Sequence, residues 1–139
     1  MNETASGLSI GKLARQARVN VQTIRYYERR GLLRDPERTA SNYRVYGGDT
    51  LRRVRFIKRA QELGFTLNEI KELLELRASP RSCCAVVRQR SEAKIRDIDG
   101  KVRALKAMRQ ALERLVRACS GRGPVTECPI LESLEDEEE

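Results

Sequence analysis

Apolar residues recur every three or four positions along most of the chain, and the gaps in that rhythm mark off a series of helices. Ile10, Leu13 and Ala14 share one helical face behind Ser9, a residue suited to capping a helix N-terminus. The run from Arg15 to Asn20 predicts a short break, after which Asn20 caps a second helix. That helix turns Val21, Ile24 and one of the adjacent Tyr26 and Tyr27 inward, leaving Gln22, Thr23, Arg25 and Arg29 outside. Gly31 ends it, because glycine takes the left-handed conformation beyond a helix C-terminus without a Cβ penalty. Two short helices joined by a tight turn make a helix-turn-helix, with the second in the reading position.

Alternation of Tyr43 and Val45 with Arg44 and Tyr46 predicts a short strand, and with the polar turn Thr39–Asn42 before it, a small β-wing. Gly47 and Gly48 end the wing, and Asp49 is the expected cap of the next helix. Helical spacing continues through Leu51, Val54, Phe56, Ile57, Ala60 and Leu63, then breaks at Gly64 and Phe65. Thr66 with Glu69 three residues on predicts a capping box, ahead of Leu67, Ile70, Leu73 and Leu74. Pro80 closes this segment, so 77–82 reads as a hinge. One long helix follows from about Ser82 to Ala118. Its apolar positions Ile95, Ile98, Val102, Leu105, Met108, Leu112, Leu115 and Cys119 step by three or four, as in a coiled-coil seam. A lone helix cannot bury such a stripe, which calls for a second copy or for folding back onto its own domain. Gly100, in mid-helix, has no reason in the pattern. Beyond Cys119 come a loop, Cys128-Pro129, one short apolar turn from Ile130 to Leu134, and an acidic tail.

Charge sharpens this picture. The net charge is +8, and all of it falls in the first part: residues 1–81 hold 17 Lys and Arg against 9 Asp and Glu, whereas residues 82–139 hold 11 of each. A basic helix-turn-helix with a wing is suited to nucleic-acid phosphates. No stretch reaches the roughly 18 apolar residues of a membrane span, and the N-terminus lacks a signal pattern, so a cytoplasmic protein is expected. In that compartment the four cysteines read as ligands or sensors before they read as disulfides. There is no Cys-X-X-Cys, no histidine to act as a base and no organic-cofactor fingerprint, which speaks against a thiol enzyme and against catalysis generally.

The stretches LSIGKLA (8–14), VQTIRYYERRGLL (21–33), YRVY (43–46), RFIK (55–58) and LGFTLNEI (63–70) resemble, in order, the MerR family of bacterial regulators. The resemblance implies a mostly α protein that works as a homodimer. Residues 1–76 would be a winged helix-turn-helix DNA-binding domain, 77–82 a hinge, and 83–118 an antiparallel coiled-coil helix. Residues 119–139 would hold a metal-binding loop, a short helix and the acidic tail. It implies binding to double-stranded promoter DNA beside RNA polymerase, with induction read out as DNA distortion. By the same resemblance Thr23, Arg25 and Tyr26 lie at the major groove, while Arg44 and Tyr46 on the wing, with Arg52 and Arg55, hold phosphates. A ligand-free DNA-bending protein is the competing reading, against which the cysteine spacing speaks.

Cys84 and Cys119 are 35 residues apart, roughly 50 Å along a straight helix, too far to share a metal in one chain. In the antiparallel dimer that the resemblance implies, Cys84 of one subunit meets Cys119 and Cys128 of the other. This trio, without any histidine, suits a soft ion and is similar to the family's mercury(II) sensors. The family's zinc sensors add a second loop thiol and a histidine; here Ser120 follows Cys119. Cys83 is an extra thiol beside Cys84, and it leaves open a four-thiolate site for cadmium or lead. The expected inducer is Hg(II), with Cd(II) or Pb(II) as the alternative.

Overall fold

Four helices and a small hairpin build the first part of the chain. The structure is a computed structural model that describes residues 7–34, 36–41 and 43–136; the outermost tail and Asn42 of the wing turn lie outside the described residues. Helix α1 (Ile10–Ala17) starts where expected, with the Lys12 amide donating to the Ser9 hydroxyl. It runs through the predicted break as far as Ala17 and is closed by Arg18, a non-glycine residue at φ 58°. That left-handed conformation is costly for a side chain with a Cβ. Here the neighbouring carbonyls are gripped from outside: Lys58 Nζ donates to the Arg18 carbonyl at 3.0 Å and Arg55 Nη2 to that of Gln16 at 3.3 Å.

Asn20 caps α2 (Val21–Arg29), accepting from the Thr23 amide at 2.8 Å and the Thr23 hydroxyl at 2.9 Å. Gly31 follows at φ 75°, as its place after the helix requires. The wing is a two-stranded antiparallel hairpin, β1 (Glu37–Arg38) against β2 (Arg44–Val45), in the register Glu37–Val45 and Arg38–Arg44. Leu8 extends it through a bridge to Tyr46.

Helix α3 (Gly48–Glu62) differs from expectation at its start. Gly47 occupies the cap position, and Asp49 sits within the first turn, where it pairs with Arg52 instead of capping. Helix α4 (Leu67–Ala78) opens on the full capping box between Thr66 and Glu69 and continues two residues beyond the predicted boundary at 76. The long helix α5 (Cys84–Ala118) therefore begins after a linker of 79–83, and Cys83 precedes it. Arg90 ties its first turns to α4 through an ion pair with Glu72 at 2.8 Å. A short 3-10 turn (Val125–Glu127) and α6 (Pro129–Glu135) complete the described chain.

The chain divides at Arg90 and Ser91 into two compact units. In the first, one core gathers Leu13, Ala14 and Ala17 from α1, Ile24 and Tyr27 from α2, and Leu32, Leu33 and Tyr46 around the wing. Val54, Ile57 and Ala60 from α3, with Ile70 and Leu74 from α4, complete it. Glu28 joins the wing to this core. Its side chain, 11% exposed, accepts from the Tyr46 hydroxyl at 2.5 Å and from Arg44 Nη1 at 3.2 Å. In the second unit Ile95, Ile98, Val102, Leu105, Met108, Leu112 and Val116 are 39 to 62% exposed and keep the seam spacing. Val116 is exposed next to the expected Leu115, which is half-buried. A Cβ at Gly100 would meet the Arg103 guanidinium at an ordinary 3.9 Å, and nothing in the structure explains the glycine.

This packing sets the cost of four substitutions. Ile57→Ala, a truncation at a fully buried site, lowers unfolding free energy in urea by about 2–5 kcal/mol, and Thr66→Ala by about 1 kcal/mol. Glu28→Ala strands a buried hydroxyl and a guanidinium, costing about 1–3 kcal/mol, and Glu28→Gln, which keeps an acceptor, recovers most of the loss. Equal stabilities for Glu28→Ala and wild type would show that the wing is held by other contacts.

Candidate metal centre and nucleic-acid interface

Burial of Ile24 and Tyr27 leaves the other face of α2 in solvent. Tyr27 donates its hydroxyl to Gln61 Oε1 at 2.5 Å and is an interior residue. Tyr26, 40% exposed, is the tyrosine that faces out. The guanidinium carbons of Arg29 and Arg30 lie 5.8 and 5.9 Å from its ring centroid, and Arg30 Nη1 donates to its hydroxyl at 3.3 Å. Arg30 also reaches Asn68 on α4 at 3.3 Å. Asn20, Gln22, Thr23, Tyr26 and Arg29 line one shallow depression on this face, and Arg25 is exposed on the same helix. Sequence reasoning did not place Arg30 in this group and gave Arg29 no role; their spacing of three and four from Tyr26 was the available signal.

The remaining predicted DNA residues are placed unevenly. Arg44 is half-exposed on β2 and paired to Glu28. Arg52 and Arg55 are exposed on α3, one paired with Asp49 and the other donating to the Gln16 carbonyl. Tyr46 requires correction as a surface contact. It is 1% exposed, and its hydroxyl is committed to Glu28. Burial first, and the hydrogen bond to Glu28 next, push its pKa above the ordinary tyrosine value. Its role is to anchor the wing, since this bulky aromatic, three residues from the exposed Tyr43, fills the core while its polar end finds a partner.

All four cysteines are free thiols. Cys119 lies just past the end of α5, half-buried, with the Gly121 amide donating to its sulfur at 3.4 Å. Cys128 occupies the position before Pro129 at the start of α6, and its thiol meets that of Cys119. The amides of Leu131 and Ile130, helped by the Cys119 thiol, draw the Cys128 pKa below the ordinary thiol value, against desolvation and the charge of Glu132. A thiol so biased is a better metal ligand, because the thiolate is the coordinating species. Cys83 and Cys84 are exposed in the first unit, at the start of α5. Among the described residues no three His, Cys, Asp or Glu side chains gather as a metal site. One chain thus presents two loop thiols together and two further thiols elsewhere.

Among the described residues no helix is long and apolar enough to cross a membrane. Residues 8–76 match the MerR HTH family regulatory protein, and residues 51–115 match the MerR DNA-binding region. The chain is 46% identical to a mercuric resistance operon regulatory protein of Bacillus cereus, over 90% of this chain and 95% of the relative. It is similar to the mercury(II)-bound dual function regulator of Bacillus megaterium, with TM-score 0.70 and 41% identity over 93% of this chain and 100% of that one. The lead(II)-bound transcription regulator of Ralstonia metallidurans gives TM-score 0.80 and 38% identity, over 91% of this chain and 98% of that one. With a basic helix-turn-helix, a wing and this agreement along nearly its whole length, the chain belongs to the MerR family of helix-turn-helix regulatory proteins.

Proposed function

We propose that this protein is a cytoplasmic, dimeric transcription regulator of a mercury-resistance operon. It binds Hg(II) through Cys119 and Cys128 of one subunit and the partner subunit's Cys84, and it distorts promoter DNA when the metal is bound. The pairing of Cys119 with an acidified Cys128 carries this reading. Two soft thiolates held together favour a soft, thiophilic ion over hard divalent cations. The similarity to mercury regulators over nearly the full chain supports the same ion. Because the third thiol stands at the other end of α5, its natural source is a second chain running antiparallel along the exposed stripe from Ile95 to Val116.

In this reading the exposed face of α2, with Thr23, Arg25 and Tyr26, enters the major groove, while Arg44, Arg52 and Arg55 hold phosphates. The Thr23 hydroxyl donates to Asn20 Oδ1, so its oxygen is left to accept at the groove. The linker 79–83 is the hinge at which a metal shared between subunits changes the angle of the DNA-binding heads. Two sites thereby act on one two-state element, as allostery demands, and RNA polymerase at the promoter reads the result. A second reading is favoured by one observation: Cys83 is exposed beside Cys84, and a lead(II)-bound regulator is structurally similar. There the metal is lead or cadmium and both adjacent thiols serve.

Titration of the reduced protein with Hg(II), Cd(II) and Pb(II) in excess small-molecule thiol, followed by thiolate-to-metal ultraviolet absorption, separates the two. Cys84→Ser, Cys119→Ser and Cys128→Ser are each expected to abolish tight Hg(II) binding, and Cys83→Ser to retain it. A preference for lead or cadmium that needs both Cys83 and Cys84 selects the second reading; mercury binding untouched by all four substitutions sinks both. Leu105→Glu and Leu112→Glu, in the middle of the stripe, are expected to convert the dimer to monomer in sedimentation and to lose DNA binding. Retention of the dimer would place the subunit contact elsewhere.

A further inference from the structure

A cleft between the first half of α3 and the end of α4 is lined by Arg34, Arg52, Arg53 and Arg77, with Asp49 and Thr50 at its edge. It encloses about 410 Å³ beside the buried Leu33 and Leu74. Four guanidinium groups share this space with one carboxylate, and that carboxylate, Asp49, is engaged by Arg52. Among the described residues no carboxylate pairs with Arg34, Arg53 or Arg77. Arg53 is half-buried, and its Nε donates to the Leu32 carbonyl at 2.6 Å. That bond fixes the plane of the guanidinium and leaves its four terminal N–H donors for another partner. Arg77 is oriented over the Phe56 ring, 5.4 Å from the centroid. Burial first, then the charge of Arg34, lower the Arg53 pKa from the ordinary arginine value. Two cations side by side in a half-buried cleft are unfavourable, and an anion between them reverses the sign of that interaction.

We propose that this cleft is a phosphate-binding site in which Arg34, Arg53 and Arg77 are the ligands. Planar guanidinium forks match the oxygens of a phosphate in pairs, and none of the three belongs to the DNA-reading or thiolate sets described above. The phosphate is either a phosphodiester of the DNA backbone or a free phosphate group. The two sources share this chemistry and differ in whether DNA displaces the ion.

The reduced full-length protein is titrated calorimetrically with inorganic phosphate in a zwitterionic buffer at low ionic strength. Arg34→Gln and Arg77→Gln, both exposed in the folded protein, are each expected to weaken binding about tenfold, the loss of one charge-assisted pair. Arg53→Lys keeps the charge but loses the fork and weakens binding as well. Arg114→Gln, which removes one exposed charge from α5, leaves it unchanged. Absence of binding, or equal weakening by Arg114→Gln, overturns the proposal by reducing the effect to net charge. With a nonspecific double-stranded DNA oligomer added, displacement of phosphate and a salt slope lowered by about one in Arg34→Gln identify the backbone phosphate. Simultaneous binding of DNA and phosphate with an unchanged slope identifies a free phosphate.

Discussion

The inner face of α2 is the constraint on which the DNA-binding unit depends. Ile24 and Tyr27 are three residues apart, so one helical face carries both into the core formed by α1, α3 and α4. A buried tyrosine must satisfy its hydroxyl, and Gln61 on α3 does so at 2.5 Å. With that anchor made, the rotation of the helix is set, and Tyr26 with Arg25 and Arg29 must face outward. The exposed chemistry is therefore a consequence of interior packing. Arg30 extends the same logic by linking the outward tyrosine to Asn68 on α4.

Glu28 gives that helix its second attachment. A carboxylate near the interior is tolerable only when its oxygens are hydrogen-bonded, and both are: one to the Tyr46 hydroxyl, one to Arg44. The wing strands are only two residues long, and a hairpin so short has little stability of its own. The bonds to Glu28 and the Leu8–Tyr46 bridge supply what the hairpin lacks. Helix and wing are thus positioned by one buried group, which explains why a tyrosine on the wing serves the core.

The second unit follows a different principle, since its ordered helix leaves apolar side chains in solvent. Helical order there comes from local hydrogen bonds and i,i+4 ion pairs such as Arg109–Glu113 and Lys101–Asp97. Those interactions shape a long surface and do nothing to cover it. At its end, backbone amides at the start of α6 and a neighbouring thiol polarise Cys128 toward the thiolate. Within a single chain two sulfurs meet there, and the apolar stripe of α5 stays exposed.

Much of this was legible in the residues themselves, and the reason is range. Helix periodicity, the Ser9 and Asn20 caps, the Thr66–Glu69 box and the Gly31 stop depend on partners within four residues, so local order in the chain suffices to write them. The same holds for the seam spacing and for the family motifs. What stayed ambiguous depended on partners far away. Whether Tyr26 or Tyr27 turned inward waited on Gln61, 34 residues later than Tyr27. Tyr46 looked like a surface residue because alternation describes a strand's two faces without saying which is covered; Glu28 decided it. Asp49 had the chemistry of a cap, yet Gly47 took the place, and the carboxylate turned to Arg52. The meeting of Cys119 and Cys128 depends on the path of the loop between them. Local sequence determined which elements form, and tertiary packing decided which faces they show, because a side chain's burial is set by neighbours that its own segment does not contain.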